Sequence, residues 1–155
     1  MKLSEALDFF KDLIEKTNDK SESKVYQGFI NILSNLKNRE LTEQQLNSIE
    51  LKLDSLDLLA NSENRKKYLK RKLNEFTTYL NKEFSFITEG YYTGIGMVYG
   101  MMFGSGMGLV LGTAFGAGIG TAIGLSTGTG IGMVFGMMFG AAKDAEAKKQ
   151  NRVLI

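Results

Sequence analysis

The feature that most constrains this chain is a glycine at every fourth position, without exception, from Gly96 through Gly140. Seventeen of the 18 glycines lie in residues 90–142, and no Asp, Glu, Lys or Arg falls in that stretch. The intervening residues are mostly apolar, unlike the Ser and polar residues of a flexible linker. Each glycine weakens a helix in water by about 1 kcal/mol, whereas in lipid glycines let two helices approach closely. The stretch therefore predicts membrane helices packed through glycine.

An internal repeat underlies this stretch. In blocks of twelve from Gly94 the sequence reads GIGMVYGMMFGS, GMGLVLGTAFGA, GIGTAIGLSTGT and GIGMVFGMMFGA, a repetition that marks one recurring structural unit. A glycine every fourth residue moves around a helix by about 40° per step. Over one span the glycine stripe therefore covers more than half of the helix circumference, whereas one hairpin partner needs only one face. We interpret the excess as contact with neighbouring subunits as well, so we expect a homo-oligomer. The predicted helix-packing residues are Gly96, Gly100, Gly104, Gly108, Gly112, Gly116, Gly120, Gly124, Gly128, Gly132, Gly136 and Gly140.

The length of the stretch predicts two membrane crossings. One span needs about 20 apolar residues, and residues 90–142 number 53. We expect a hairpin of helices from Tyr91 to about Gly112 and from about Thr121 to Ala142. The turn is expected near Ala114 to Gly120, and a turn at Ser126 to Thr129 is the alternative.

The flanking charges predict the orientation. Basic residues precede the stretch and also follow it, in residues 143–155, and such residues favour the cytoplasmic side. We therefore expect a protein of the cytoplasmic (inner) membrane with both termini cytoplasmic. Residues 143–155 are read as a basic cytoplasmic tail. The charged opening of the chain is not expected to act as a signal peptide.

The fold class predicted for the whole chain is all-α, with a cytoplasmic domain of about four amphipathic helices in residues 1–89. Apolar residues recur at helical spacing in residues 3–17 and again to about Asn38. A T-x-x-Q capping box at Thr42 begins a third helix, which runs to about Ala60. Its expected inward residues are Leu46, Ile49, Leu53, Leu56 and Leu59.

A long fourth helix is predicted from Glu63, with an apolar stripe made of Leu69, Leu73, Phe76, Leu80, Phe84 and Ile87. Such helices usually bury their stripes on one another in a bundle. The alternatives are that one face stays open for a partner protein, or that the near-heptad stripe of the fourth helix forms a coiled coil with other copies.

A basic cluster opens this fourth helix, and it consists of Arg65, Lys66, Lys67, Lys70, Arg71 and Lys72. Basic clusters ahead of an apolar span typically contact anionic lipid headgroups. We therefore predict lipid rather than nucleic acid as the partner of this cluster.

The residues that are missing argue against an enzyme. The chain has no Cys and no His, so it offers neither a thiolate nor an imidazole. We expect no catalytic residues, no cofactor and no metal. Seven methionines fall in the membrane stretch, and thioethers can bind Cu(I), but the sequence favours packing as their role because no Cys or His accompanies them.

Two functions fit the membrane stretch. One is a weakly selective homo-oligomeric pore, controlled by the cytoplasmic domain, whose wall offers hydroxyls to water from Ser105, Thr113, Thr121, Ser126, Thr127 and Thr129. The other is a membrane-anchored scaffold whose helical domain binds a partner protein. In that case the hydroxyls bond back to the preceding helical turn.

The segment Gly96 through Gly140, followed by Ala-Ala-Lys-Asp-Ala-Glu-Ala-Lys-Lys, resembles the small bacterial glycine-zipper membrane proteins, most of which have no assigned function. The resemblance covers about a third of the chain and does not extend to the N-terminal helices. Glycine zippers of this kind occur in channels, in pore-forming toxins and in structural anchors. The resemblance therefore implies membrane insertion and raises the expectation of an oligomeric pore.

Overall fold

The computed structural model describes residues 1–60, 64–116 and 118–154, and in these residues the all-α prediction is confirmed. The elements in chain order are α1 (Leu3–Lys16), α2 (Lys20–Lys37), α3 (Glu43–Ser55), α4 (Arg65–Phe84), β1 (Ile87–Thr88), α5 (Tyr91–Ala114), α6 (Ile119–Lys149) and β2 (Val153–Leu154). The two short strands pair in a two-stranded sheet. The chain divides into an N-terminal unit, Met1–Ile87 with Leu154, and a second unit, Thr88–Val153. We call the second the membrane unit because it holds two helices long and apolar enough to cross a membrane.

The N-terminal unit is a helical bundle around an aromatic and aliphatic core. The rings of Phe10 on α1 and Phe29 on α2 stack with centroids 4.2 Å apart. Ile49 and Leu53 of α3 are buried in the same core. Thr42 makes the predicted capping box, since its side chain accepts from Gln45 N while the Gln45 side chain accepts from Thr42 N. The unit therefore buries most of the apolar residues that the sequence assigned to the inward faces of these helices.

The end of α3 differs from the sequence prediction. The helix stops at Ser55 rather than near Ala60, and Asp57 takes a left-handed conformation with φ 49°. Because the helical spacing ends there, Leu58 is buried while Leu59 is 68% exposed. Leu46 also lies at the surface. Their assignment to the core was wrong.

The fourth helix is shorter than predicted at its C-terminal end. Ser85 ends α4 in a left-handed conformation with φ 56°, and Ile87 is buried as part of β1 instead of continuing the helix. Glu63, where the helix was expected to start, lies outside the described residues. Leu69, Phe76 and Leu80 are fully buried in their own bundle, so this part of the α4 stripe is not free to pair with another copy.

The membrane unit is a helical hairpin. Helices α5 and α6 are joined by residues 115–118, as the first of the two predicted turns requires. Gly116 and Gly118 have φ values of 121° and 108°, which suit glycine because it lacks a Cβ. The alternative turn at Ser126 to Thr129 was wrong, since those residues lie inside α6. Helix α6 also continues to Lys149, so most of the expected tail at residues 143–155 is helical.

Candidate functional site

The two helices of the hairpin meet backbone against backbone along their glycines. A Cβ placed on Gly100 would lie 3.0 Å from Gly136 Cα, and a Cβ placed on Gly104 would lie 2.9 Å from Gly132 Cα. The facing carbonyl oxygens of Gly132 and Gly128 would be closer still. Ordinary contacts of a Cβ begin at 3.4 Å, so no larger side chain fits without moving a helix.

We call this surface the glycine seam, and it consists of Gly96, Gly100, Gly104, Gly108 and Gly112 on α5 and Gly120, Gly124, Gly128, Gly132, Gly136 and Gly140 on α6. The twelfth glycine named from the sequence, Gly116, has nothing within 4 Å of its Cβ position. Its place in the turn explains the difference. Three further glycines, Gly94, Gly106 and Gly130, likewise have open space at the Cβ position.

The continuity of the glycine seam bears on whether the four-residue glycine spacing implies contact with neighbouring subunits. On straight helices the stripe would rotate away from one partner by about 40° per glycine. Here each of the five seam glycines of α5, from Gly96 to Gly112 in steps of four, still meets the facing backbone of α6. The two helices must therefore wind around each other, in the right-handed sense that goes with a period above 3.6. The hairpin alone uses the stripe, so the spacing does not by itself require neighbouring subunits.

The hydroxyls beside the glycine seam are engaged with protein groups. Ser105 Oγ lies 2.6 Å from Met101 O, and Thr129 Oγ1 lies 2.7 Å from Leu125 O. The Ser105 and Thr129 oxygens are also 2.7 Å apart. Because each hydroxyl has one proton, one of the two donates to the other and links α5 to α6, while the accepting hydroxyl donates to the carbonyl of its own preceding turn. Of the six hydroxyls named from the sequence, this is the one pair that the described structure shows hydrogen-bonded to each other.

The remaining predicted hydroxyls lie toward the turn. Thr113 donates to Val110 O at 2.8 Å and Ser126 donates to Ile123 O at 3.1 Å. Thr127 is exposed and Thr121 is partly buried. Ser126 also sits in a G-x-S-x-G pattern, but it lies inside a continuous helix rather than on the strand-to-helix turn that exposes a serine nucleophile. The chain has no His to serve as its base.

Asp144 closes the open end of the hairpin, a role that sequence reasoning missed. Helix α5 starts after Gly90, which has no side chain to cap it. The Asp144 carboxylate on α6 accepts from Tyr92 N at 3.0 Å, from Thr93 N at 2.9 Å and from Thr93 Oγ1 at 2.7 Å. These backbone N–H groups have no partner within their own helix. The signal in the sequence was an acid two residues beyond the end of the apolar stretch.

The outer surface of the hairpin is apolar along its length. Exposed side chains include Phe103 on α5 and Phe135 and Phe139 on α6. At the turn, Phe115 and Ile119 are 86% and 81% exposed. Both helices are long and apolar enough to cross a membrane. Large exposed apolar surfaces mark contact with a membrane or with protein.

The basic cluster lies on the first half of α4 and only part of it faces solvent. Lys67, Lys70 and Arg71 are exposed, at the spacing of one helical face. Arg65 and Lys66 are half-buried, as is Lys72, whose ammonium is 3.4 Å from Glu75 Oε2. The cluster also lies at the end of α4 opposite to the one from which the chain continues toward α5. The remaining candidate headgroup surface is thus the face of Lys67, Lys70 and Arg71.

The Glu75 carboxylate on α4 accepts a hydrogen bond from each of two lysine ammonium groups. Lys52 Nζ on α3 lies 2.6 Å from Glu75 Oε1, and Lys72 supplies the second contact. The hydrogen bond from Lys52 is the main reason that the pKa of Glu75 is lowered, although partial burial works in the opposite direction. The pair ties α3 to α4 at the surface of the bundle.

Comparison with known proteins finds no matching family model, no matching curated protein and no matching solved structure.

Proposed function

We propose that this protein is a membrane-anchored scaffold, in which the hairpin spans the cytoplasmic membrane twice and the N-terminal bundle binds a partner protein in the cytoplasm. The observation that carries the proposal is the glycine seam, whose backbone contacts leave no room for water between α5 and α6. An apolar exterior around a dry interior is what a lipid anchor requires.

The hydroxyls support the anchor over a conducting path. Thr113 and Ser126 donate to carbonyl oxygens of the preceding turn, which is how Ser and Thr satisfy themselves in lipid. Ser105 and Thr129 are satisfied by each other and by such a carbonyl. No Asp, Glu, Lys, Arg or His occurs in residues 90–142, and proton relays, voltage sensors and charged filters all need such groups.

The N-terminal unit supplies the partner-binding part of the proposal. Leu51 and Leu59 lie outside the core of this unit, and their side chains are 69% and 68% exposed. The exposed face of Lys67, Lys70 and Arg71 gives the unit a basic surface for anionic lipid headgroups. The unit thus offers apolar surface for a protein and charge for a membrane, and we expect no role for it with nucleic acid.

Membrane topology is the first test of the anchor. Because the chain has no Cys, single substitutions Ser23→Cys, Gln150→Cys and Thr113→Cys report on one position each. We label these variants with a membrane-impermeant maleimide, on intact cells and on inverted membranes. We expect Ser23→Cys and Gln150→Cys to react only from the cytoplasmic side, and Thr113→Cys, next to the turn, only from the opposite side. Reaction of residues 23 and 150 from opposite sides would exclude two crossings.

A homo-oligomeric pore is the second candidate, and the outward glycines favour it. Gly94, Gly106 and Gly130 are exposed with open space at the Cβ position, so helices from other copies can approach there. Single-channel recording of the full-length protein in a planar bilayer separates the two functions. Discrete current steps that are lost in Gly106→Leu with Gly130→Leu would establish a pore. A silent bilayer from inserted protein favours the scaffold.

A further inference from the structure

The membrane unit gathers four of its methionines beside the glycine seam. Met97 and Met101 on α5 and Met133 and Met137 on α6 are half-buried. The other three are turned outward, since Met102, Met107 and Met138 are 65%, 68% and 62% exposed. The methionines of this unit therefore form two groups with different surroundings.

The register of the hairpin sets the half-buried methionines in pairs. Ser105 Oγ lies 2.7 Å from Thr129 Oγ1 across the helices. The seam keeps a constant register, because Gly104 meets Gly128 and the glycines four residues away on each helix meet in the same way. Steps of four residues from the hydroxyl pair, taken toward the open end of the hairpin, give the pairs Met101 with Met133 and Met97 with Met137.

The two pairs are four residues apart along each helix. Four residues of helix rise about 6 Å, and methionine is unbranched with three rotatable bonds. Thioethers are soft ligands that select Cu(I) among biological metal ions. We propose that the thioethers of Met97, Met101, Met133 and Met137 form a binding site for a soft monovalent cation, Cu(I) or its analogue Ag(I).

The surroundings of this methionine site suit a single positive charge. The four ligands are neutral, so the bound ion keeps its charge, and a medium of low dielectric constant strengthens its attraction to a carboxylate. The Asp144 carboxylate lies seven residues beyond Met137 on the same helix, a rise of about 10 Å. Asp144 lies at the same end of the hairpin as the site and provides compensating negative charge.

Silver binding to the full-length protein tests this assignment. The chain has no Cys and no His, so Ag(I) uptake reports on thioethers with little background. With the methionine methyl groups labelled by ¹³C, titration with Ag(I) in detergent is expected to shift the signals of the four site residues. The signals of Met102, Met107 and Met138 are expected to stay in place.

Two matched variants make the test specific. Met101→Leu with Met133→Leu is expected to weaken Ag(I) binding by about tenfold or more because two of four soft ligands are lost. Met102→Leu with Met138→Leu, on the same helices but turned outward, is expected to bind as the parent does. Leu and Met have similar volumes, so the hairpin is retained in both, which circular dichroism checks. Absence of uptake by the parent protein, or equal weakening in both variants, would overturn the site.

Discussion

Adding a single methyl group to the glycine seam should separate the two hairpin helices, whereas the same change on the outer face should not. In Gly100→Ala the new Cβ would lie 2.9 Å from Gly132 C and 3.0 Å from Gly136 Cα, against an ordinary limit of 3.4 Å. The helices must move apart by at least about half an ångström, and such overpacking costs about 1–3 kcal/mol. Gly106→Ala meets open space and gains up to about 1 kcal/mol in helix propensity.

The assay uses the hydroxyl pair as a reporter. Ser105→Cys with Thr129→Cys places two thiols where oxygens now lie 2.7 Å apart, in a chain that has no other cysteine. The equilibrium between this disulfide and a glutathione redox buffer measures how often the two helices are in register. Each 1.4 kcal/mol changes that equilibrium about tenfold. We expect Gly100→Ala to lower it by about 5- to 150-fold and Gly106→Ala to leave it unchanged or raised.

The control is demanding, because Gly106 is next to the reporter while Gly100 is five residues away. A local disturbance of the reporter would therefore show first in Gly106→Ala. Equal effects of the two substitutions, or a larger effect at Gly106, would refute the role of the glycine seam in holding the hairpin.

Three further predictions concern charged groups. Asp144→Ala leaves two backbone N–H groups at the start of α5 without their acceptor, which costs about 1–3 kcal/mol. The equilibrium constant for the disulfide of the Ser105→Cys, Thr129→Cys reporter should therefore fall, whereas the control Glu146→Ala should leave it unchanged. The free energy of unfolding of the N-terminal unit should fall as the pH drops below 4.5, the ordinary Glu pKa. Because the pKa of Glu75 is lowered in the folded unit, the stabilisation by its carboxylate is complete above the ordinary pKa and is lost as the pH falls through the lowered pKa. Urea unfolding of Glu75→Gln should show a weaker pH dependence below pH 4.5, and an unchanged pH dependence would contradict the role of this carboxylate. Replacing Lys67, Lys70 and Arg71 by glutamine should weaken binding to vesicles of anionic lipid by about 1 kcal/mol per removed charge. Flotation at low salt measures this binding, and an unaltered flotation profile would contradict the lipid assignment.

The sequence determined the helical class, the hairpin and the capping at Thr42, because each depends on local spacing. A glycine every four residues, the absence of charge and a T-x-x-Q box are all visible within one or two helical turns. Local patterns also gave most of the bundle core. They failed at Leu59, where a left-handed residue at Asp57 ends the helical period.

The tertiary structure decided what each spacing is used for. The creep of the glycine stripe suggested many neighbours, but two helices that wind around each other absorb it in one hairpin. The capping of α5 by Asp144 joins residues more than 50 positions apart, and no local pattern encodes such a pairing. Which methionines face one another likewise depends on the register between α5 and α6. Close backbone contact in the folded hairpin fixes that register, whereas the sequence of either helix alone does not.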